Sequence, residues 1–135
     1  KALYTKHTES STIGFRIMTP NFVLVYSSDT EYSAKLIEEY KGANILILNT
    51  HSPGEEYTPG NLNTLNATKI IEKVNPKLAI IQHFSKRMLE MDPIQEAREI
   101  QSKTKSQVLA AKDGMALNPL IYGMKTRQQT LTKDY

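Results

Sequence analysis

Phe22-Val23-Leu24-Val25-Tyr26-Ser27-Ser28-Asp29-Thr30 sets the architecture of this chain. A run of β-forming residues, too short for a comfortable helix, ends in small polar residues and a carboxylate. That pattern lifts one acid out of a buried sheet and presents it at the strand's C-terminal edge. In open α/β sheets this is the edge where ligands and catalytic groups collect. Asp29 is therefore the first candidate site residue.

Upstream of this strand, Gly14 opens Phe15-Arg16-Ile17-Met18, whose alternation reads as a strand, and Thr19-Pro20-Asn21 supplies turn chemistry. The two strands are expected to form a hairpin. Residues 1–12 are polar and without periodicity, which predicts an N-terminal loop or arm holding His7. Downstream, Tyr32, Leu36, Ile37 and Tyr40 share a face at helical spacing, and Lys41-Gly42 ends that helix. Ile45-Leu46-Ile47-Leu48 is a continuous apolar run, expected as a central strand buried on both faces. A long loop from Thr50 to Asn61 holds His51 and two Pro-Gly pairs.

A second helix is predicted from Asn63 or Thr64 to the stop at Asn75-Pro76. Leu78-Ala79-Ile80-Ile81 gives another buried strand, ending at Gln82-His83-Phe84-Ser85. A third helix has Asp92 as cap, Pro93 at its first position and Gln95 where a capping box places its acceptor, and it runs to about Lys103. Val108-Leu109-Ala110-Ala111 follows as a strand, with a turn at Asp113-Gly114 and a short return strand at Met115-Ala116-Leu117. Residues 119–135 read as a polar tail. Strands alternating with helices imply an α/β layer, here one mixed sheet with about three helices over residues 13–118.

Composition narrows the classes. The 135 residues suit one domain with a real core, and 39% hydrophobic with 23% charged residues is an ordinary globular balance. No apolar run is long enough to span a bilayer as a helix, so no membrane partner is expected. Cysteine is absent, which excludes disulfides and thiolate metal sites and agrees with a cytoplasmic setting. A net charge of +3 would not repel a phosphate-bearing substrate. The chain begins at Lys1 rather than Met, which suggests a processed piece or a fragment.

Asp29 and His83 stand at the ends of separate strands, on one sheet edge if those strands run parallel. A carboxylate and an imidazole meeting there suit Zn²⁺ or Mn²⁺. The same residues also have plainer readings, as a helix-capping Asp and a hydrogen-bonded His at the margin of the core. His51 could reach the same edge, whereas His7 reads as a solvated loop residue. Lys86 and Arg87 could meet phosphate or simply be solvated, Asp113 could anchor its turn, and the Met residues at 88, 91 and 115 read as core filler.

Gly14-Phe15-Arg16-Ile17, Tyr26-Ser27-Ser28-Asp29-Thr30, Tyr40 to Asn49, Pro76 to Ile81, His83-Phe84-Ser85 and Ala111-Lys112-Asp113-Gly114-Met115 occur in this order. Over roughly residues 7–118 the chain resembles the C-terminal half of metallo-β-lactamase-fold hydrolases, in particular their RNase Z-like and archaeal branches. The resemblance implies half of a four-layer αββα sandwich. It also implies a bridging role between two metal ions for Asp29 and a ligand role for His83. The expected cofactor is then Zn²⁺ or Mn²⁺, dinuclear only when the missing half is present, with phosphodiesters or RNA as the expected substrates.

The departures from the family pattern matter. Its His-x-His-x-Asp-His motif occurs nowhere here, and the chain has three histidines in all. Asn61 stands where many relatives carry a His, and an amide cannot act as a general acid near neutral pH. Asn61, His51 and His7 are retained as candidate substrate-binding residues. Two ligands fall short of the three protein ligands plus water that a catalytic zinc normally takes. A missing N-terminal half or a second subunit is therefore expected as partner, since half a sandwich leaves an apolar sheet face bare; a homo-oligomer is one way to cover it. The alternative is a non-catalytic α/β module kept for assembly or ligand binding.

Overall fold

The apolar runs become strands and the periodic segments become helices, in a computed structural model that describes residues 1–123. The strands are β1 (Ala2–Leu3), β2 (Gly14–Met18), β3 (Val23–Tyr26), β4 (Ile45–Ser52), β5 (Leu62–Asn63), β6 (Leu78–Gln82) and β7 (Gln107–Ala110). The helices are α1 (Ala34–Tyr40), α2 (Thr64–Val74), α3 (Lys86–Glu90) and α4 (Pro93–Lys103), followed by a 3₁₀ turn at Pro119–Tyr122. One mixed sheet runs β1-β2-β3-β4-β6-β7, with β5 appended to the end of β4. The expected hairpin is present: β2 and β3 are antiparallel, with Phe15 opposite Tyr26 and Ile17 opposite Leu24. From β3 onward the strands are parallel, so the C-terminal ends of β3, β4, β6 and β7 share one edge.

Local chemistry explains the helix ends. Asn63 accepts from Asn66 N at 2.9 Å to cap α2, and Asn75 closes that helix in the left-handed conformation before Pro76. Asp92 accepts from Ile94 N at 3.0 Å at the start of α4. Alternation along the strands then divides the sheet into two faces. Val25, Leu46, Leu48, Ala79, Ile81 and Val108 point into the main core, against residues of α1, α2 and α4. Each fully buried Leu or Ile there contributes about 1.5–3 kcal/mol relative to exposure.

The opposite face has a different cover. Ile45, Leu78 and Ile80 form a second cluster with Leu24, Ile47, Leu109, Ala111 and Tyr122, and no α-helix packs on it among the described residues. Toward β2 this face reaches water: Phe15 and Ile17 are 46% and 52% exposed, and Phe15 stacks on Tyr26 with ring centroids 6.1 Å apart. None of the described helices is long and apolar enough to cross a membrane.

Three sequence expectations change. The described residues hold four α-helices rather than about three, because Ser85 accepts from Met88 N at 3.0 Å and starts α3, whose five residues bury only Met88 and leave no periodicity to read. Met115–Leu117 is not a strand. The turn before it forms, with Met115 N donating to Lys112 O at 3.0 Å, but no ladder pairs these residues. The N-terminal stretch is more than an arm, since Ala2 and Leu3 pair with Phe15 and Gly14 and Leu3 is buried. The tail expected over 119–135 begins with the 3₁₀ turn, and its residues 124–135 lie outside the described residues.

Candidate metal-binding edge

Asp29 reaches the shared edge because the backbone turns out of the sheet just before it. Ser27 still follows the ladder, its N donating to Ile47 O at 2.9 Å. Ser28 then takes a positive φ of 56°. Across the edge, His83 directly follows β6 and has a φ of 64°. Left-handed backbone costs a non-glycine residue on the order of 1 kcal/mol, and such strain concentrates where a side chain must be aimed. The result is a pair: His83 Nε2 lies 3.4 Å from Asp29 Oδ1, with the His half-exposed and the Asp mostly covered.

A polar network fixes the carboxylate. Asn49 Nδ2 donates to Asp29 Oδ1 at 2.7 Å and to Tyr26 Oη at 3.2 Å. The Asn49 carbonyl oxygen accepts from Gln82 Nε2 at 3.1 Å, and Asn49 N donates to Ser27 Oγ at 3.0 Å. Asn49, within β4, and Gln82, at the end of β6, sit opposite each other. Neither stood out in sequence, although each is the polar residue that follows an apolar run.

His51 joins this edge. Ser85 N donates to His51 O at 3.0 Å, tying the end of β4 to the segment after β6. The His51 and His83 rings stand 5.9 Å apart between centroids. The buried Nδ1 of His51 has no hydrogen-bond partner among the described residues. Burial, and then the neighbouring His83 imidazole, lower the His51 pKa below its usual value against the opposing influence of Asp29 and Glu56. A neutral imidazole with a free ring nitrogen is the ligating form.

The other candidates are engaged elsewhere. His7 Nδ1 donates to Gly60 O at 2.6 Å, and a Cβ on Gly60, whose φ is +75°, would meet that same nitrogen at 2.6 Å. Only glycine allows this contact. The Asn61 amide donates to Pro59 O at 3.0 Å. Arg87 pairs with Glu56 at 3.6 Å and with Glu90 at 3.9 Å on the surface. Glu31 organises the same long loop: Gly60 N and Tyr57 Oη donate to its Oε1 at 2.9 and 3.0 Å, and Lys6 Nζ lies 2.9 Å from its Oε2. The Gly60 amide, then Lys6 and Tyr57, hold the Glu31 pKa down to about 2.

The donors of this edge fit a divalent cation in kind: a carboxylate, a close imidazole and a second imidazole with a buried, unpartnered nitrogen. They fall short in number, since no group of three His, Asp or Glu residues is arranged to hold an ion among the described residues.

Residues 2–84 match the model of the Beta-lactamase superfamily domain. Over 122 residues the chain is 35% identical to an uncharacterized protein of Methanocaldococcus jannaschii, covering 89% of this chain and 45% of that protein. The fold is similar to the metallo-beta-lactamase fold protein YhfI of Bacillus subtilis, with a TM-score of 0.75 and 21% identity over 84% of this chain and 46% of that one. It is also similar to a diphosphatase of the PhnP family, with a TM-score of 0.62 and 20% identity over 87% and 42%. The chain spans less than half the length of these proteins.

Proposed function

This chain belongs to the beta-lactamase superfamily, and from that premise we propose that it supplies part of the active site of a metal-dependent hydrolase acting on phosphodiesters or RNA. The observation that carries the reading is the 3.4 Å approach of His83 Nε2 to Asp29 Oδ1 at the C-terminal edge of the sheet. Asp29 and His83 are the residues that would hold Zn²⁺ or Mn²⁺, with the Asp29 carboxylate as the shared anionic ligand if two ions bind. A bound cation would supply Lewis acidity and a water acidic enough to be nucleophilic near neutral pH. The protein's own part is positional. Asn49 spends both amide hydrogens on Asp29 Oδ1 and Tyr26, so it draws on one carboxylate oxygen and leaves Oδ2 to other partners. The similar fold of a diphosphatase supports a phosphate-bearing substrate class.

The remaining ligands come from a partner, either another segment or a second subunit, and a homo-oligomer is one form this takes. Among the described residues, the short donor set and the sheet face without a helix both favour that arrangement. Metal titration of the chain tests the reading. Weak Co²⁺ or Zn²⁺ uptake that is lost in both Asp29→Ala and His83→Ala is expected, whereas uptake indifferent to both substitutions overturns it. Tight stoichiometric binding by the chain alone would remove the need for a partner.

The donor shortfall and Asn61 also favour a second reading, a non-catalytic module kept for assembly. Hydrolysis of bis(p-nitrophenyl) phosphate with Zn²⁺ or Mn²⁺ separates the two. Metal-dependent turnover abolished by Asp29→Ala excludes the non-catalytic module.

A further inference from the structure

Beside His83 the sheet edge carries two neighbouring cavities. The first, of about 470 Å³, runs from His83 past Asn49 and Gln82 to Lys112 and Asp113. The second, of about 180 Å³, lies behind Phe84, walled by Leu89 of α3, by Pro93 and Ile94 at the start of α4, and by Ala110 of β7. Phe84, Leu89, Ala111 and Lys112 line both, so the two lie side by side.

The two halves differ in chemistry. The larger cavity presents amide, imidazole and charged groups. The smaller is walled by aliphatic and aromatic carbon, and its one carboxylate, Asp92, is already engaged through Oδ1 by Ile94 N. Leu89 and Ile94 are 60% and 44% exposed, which leaves large apolar side chains in water at the rim of a concave site. An apolar cavity of about 150 Å³ accepts one benzene ring, so the smaller cavity has the capacity for a single planar ring. Lys112 places a cation where the two halves join.

We propose that the substrate is a phosphate ester bearing an aromatic or nucleobase ring, with the ring behind Phe84 and the phosphate beside Lys112 toward His83. The anionic end of this inference rests on the phosphoester reading above; the ring site does not. Asp113, on the polar side only, opposes an anion, so its neutralisation should tighten phosphate binding.

Phenylphosphonate and methylphosphonate, which resist hydrolysis, test the proposal by amide-shift titration of the ¹⁵N-labelled chain. Phenylphosphonate should bind about tenfold more tightly, shifting amides from Phe84 to Ile94 that methylphosphonate leaves in place. Leu89→Asp should erase that preference, with Ile94→Ser as a second variant in case the first disturbs folding. Lys112→Met should weaken both ligands, and Asp113→Asn should strengthen both. Equal affinity for the two phosphonates, or a preference that survives both Leu89→Asp and Ile94→Ser, overturns the ring site. Failure of the hydrolase reading shows separately, as metal uptake unaffected by Asp29→Ala in the same preparation.

Discussion

Gln82 hands a hydrogen bond to Asn49 across the β4–β6 register, and Asn49 passes its own amide hydrogens to Asp29 and Tyr26. The carboxylate is thus aimed by a residue that itself is aimed by a third. If Asp29 holds a metal, Asn49 acts through it as a positioning residue. Asn49→Ala should weaken metal binding by about 10–100-fold, the usual cost of losing an outer-shell partner. Asn49→Asp should do more harm, because it replaces a donor with a second negative charge beside Asp29. Isothermal titration with Co²⁺ measures both, and wild-type affinity in Asn49→Ala would remove Asn49 from this role.

Glu31 gives the chain a defined acid response. Its folded pKa of about 2 lies below the reference value of 4.5, so its contribution to stability is fully present above pH 4.5 and is lost as pH falls toward 2. The stability advantage of the native chain over Glu31→Gln should therefore shrink across that window and stay level above it. Urea unfolding of both proteins on either side of the window checks this, and a Glu31 carboxyl midpoint near 4.5 by NMR would refute it. The response concerns the long loop, since Gly60 N, Tyr57 Oη and Lys6 Nζ all meet this one carboxylate.

Glu96 joins the same loop to the helical layer. This buried carboxylate of α4 accepts from Gly54 N at 3.0 Å and from the Thr64 hydroxyl at the start of α2. Glu96→Ala leaves the buried Thr64 hydroxyl and the half-buried Gly54 N without this partner and should cost about 3 kcal/mol. Glu96→Gln retains an acceptor and should cost about 1 kcal/mol. Chemical denaturation ranks the two, and equal stabilities would show that water replaces the carboxylate.

What the sequence disclosed follows the range of the chemistry involved. Asn63, Asn75-Pro76 and Asp92-Pro93 mark helix ends because capping acts within a few residues, and the structure places the ends there. Asp29 and His83 stood out because each follows an apolar run, and parallel pairing through β4 carries both to one edge. The Asn49–Gln82 pair depends on the register between two strands, which neither strand records alone. The His7 contact was hidden for a related reason: its partner, Gly60 O, lies in a distant loop. Helix α3 escaped because five residues with one buried side chain carry no period.

The sheet face that bears Phe15 and Ile17 gives the remaining prediction. Both residues project to the side of Leu24 and Tyr26, which no α-helix covers among the described residues. An aromatic and a β-branched side chain left about half exposed two residues apart on β2 are poor solvent-facing choices unless another surface covers them. Ile17→Lys keeps the aliphatic stem along the sheet and puts a charge at the centre of that surface. Because Ile17 lies outside the buried clusters, the substitution should change stability by no more than about 0.5 kcal/mol. It should nevertheless disrupt association, since a buried unpaired charge is among the costliest defects an interface can carry. Sedimentation velocity of the native chain and of Ile17→Lys measures this directly. A smaller species for the variant with an unchanged unfolding midpoint is the expected outcome, and identical sedimentation of the two would show that this face needs no partner.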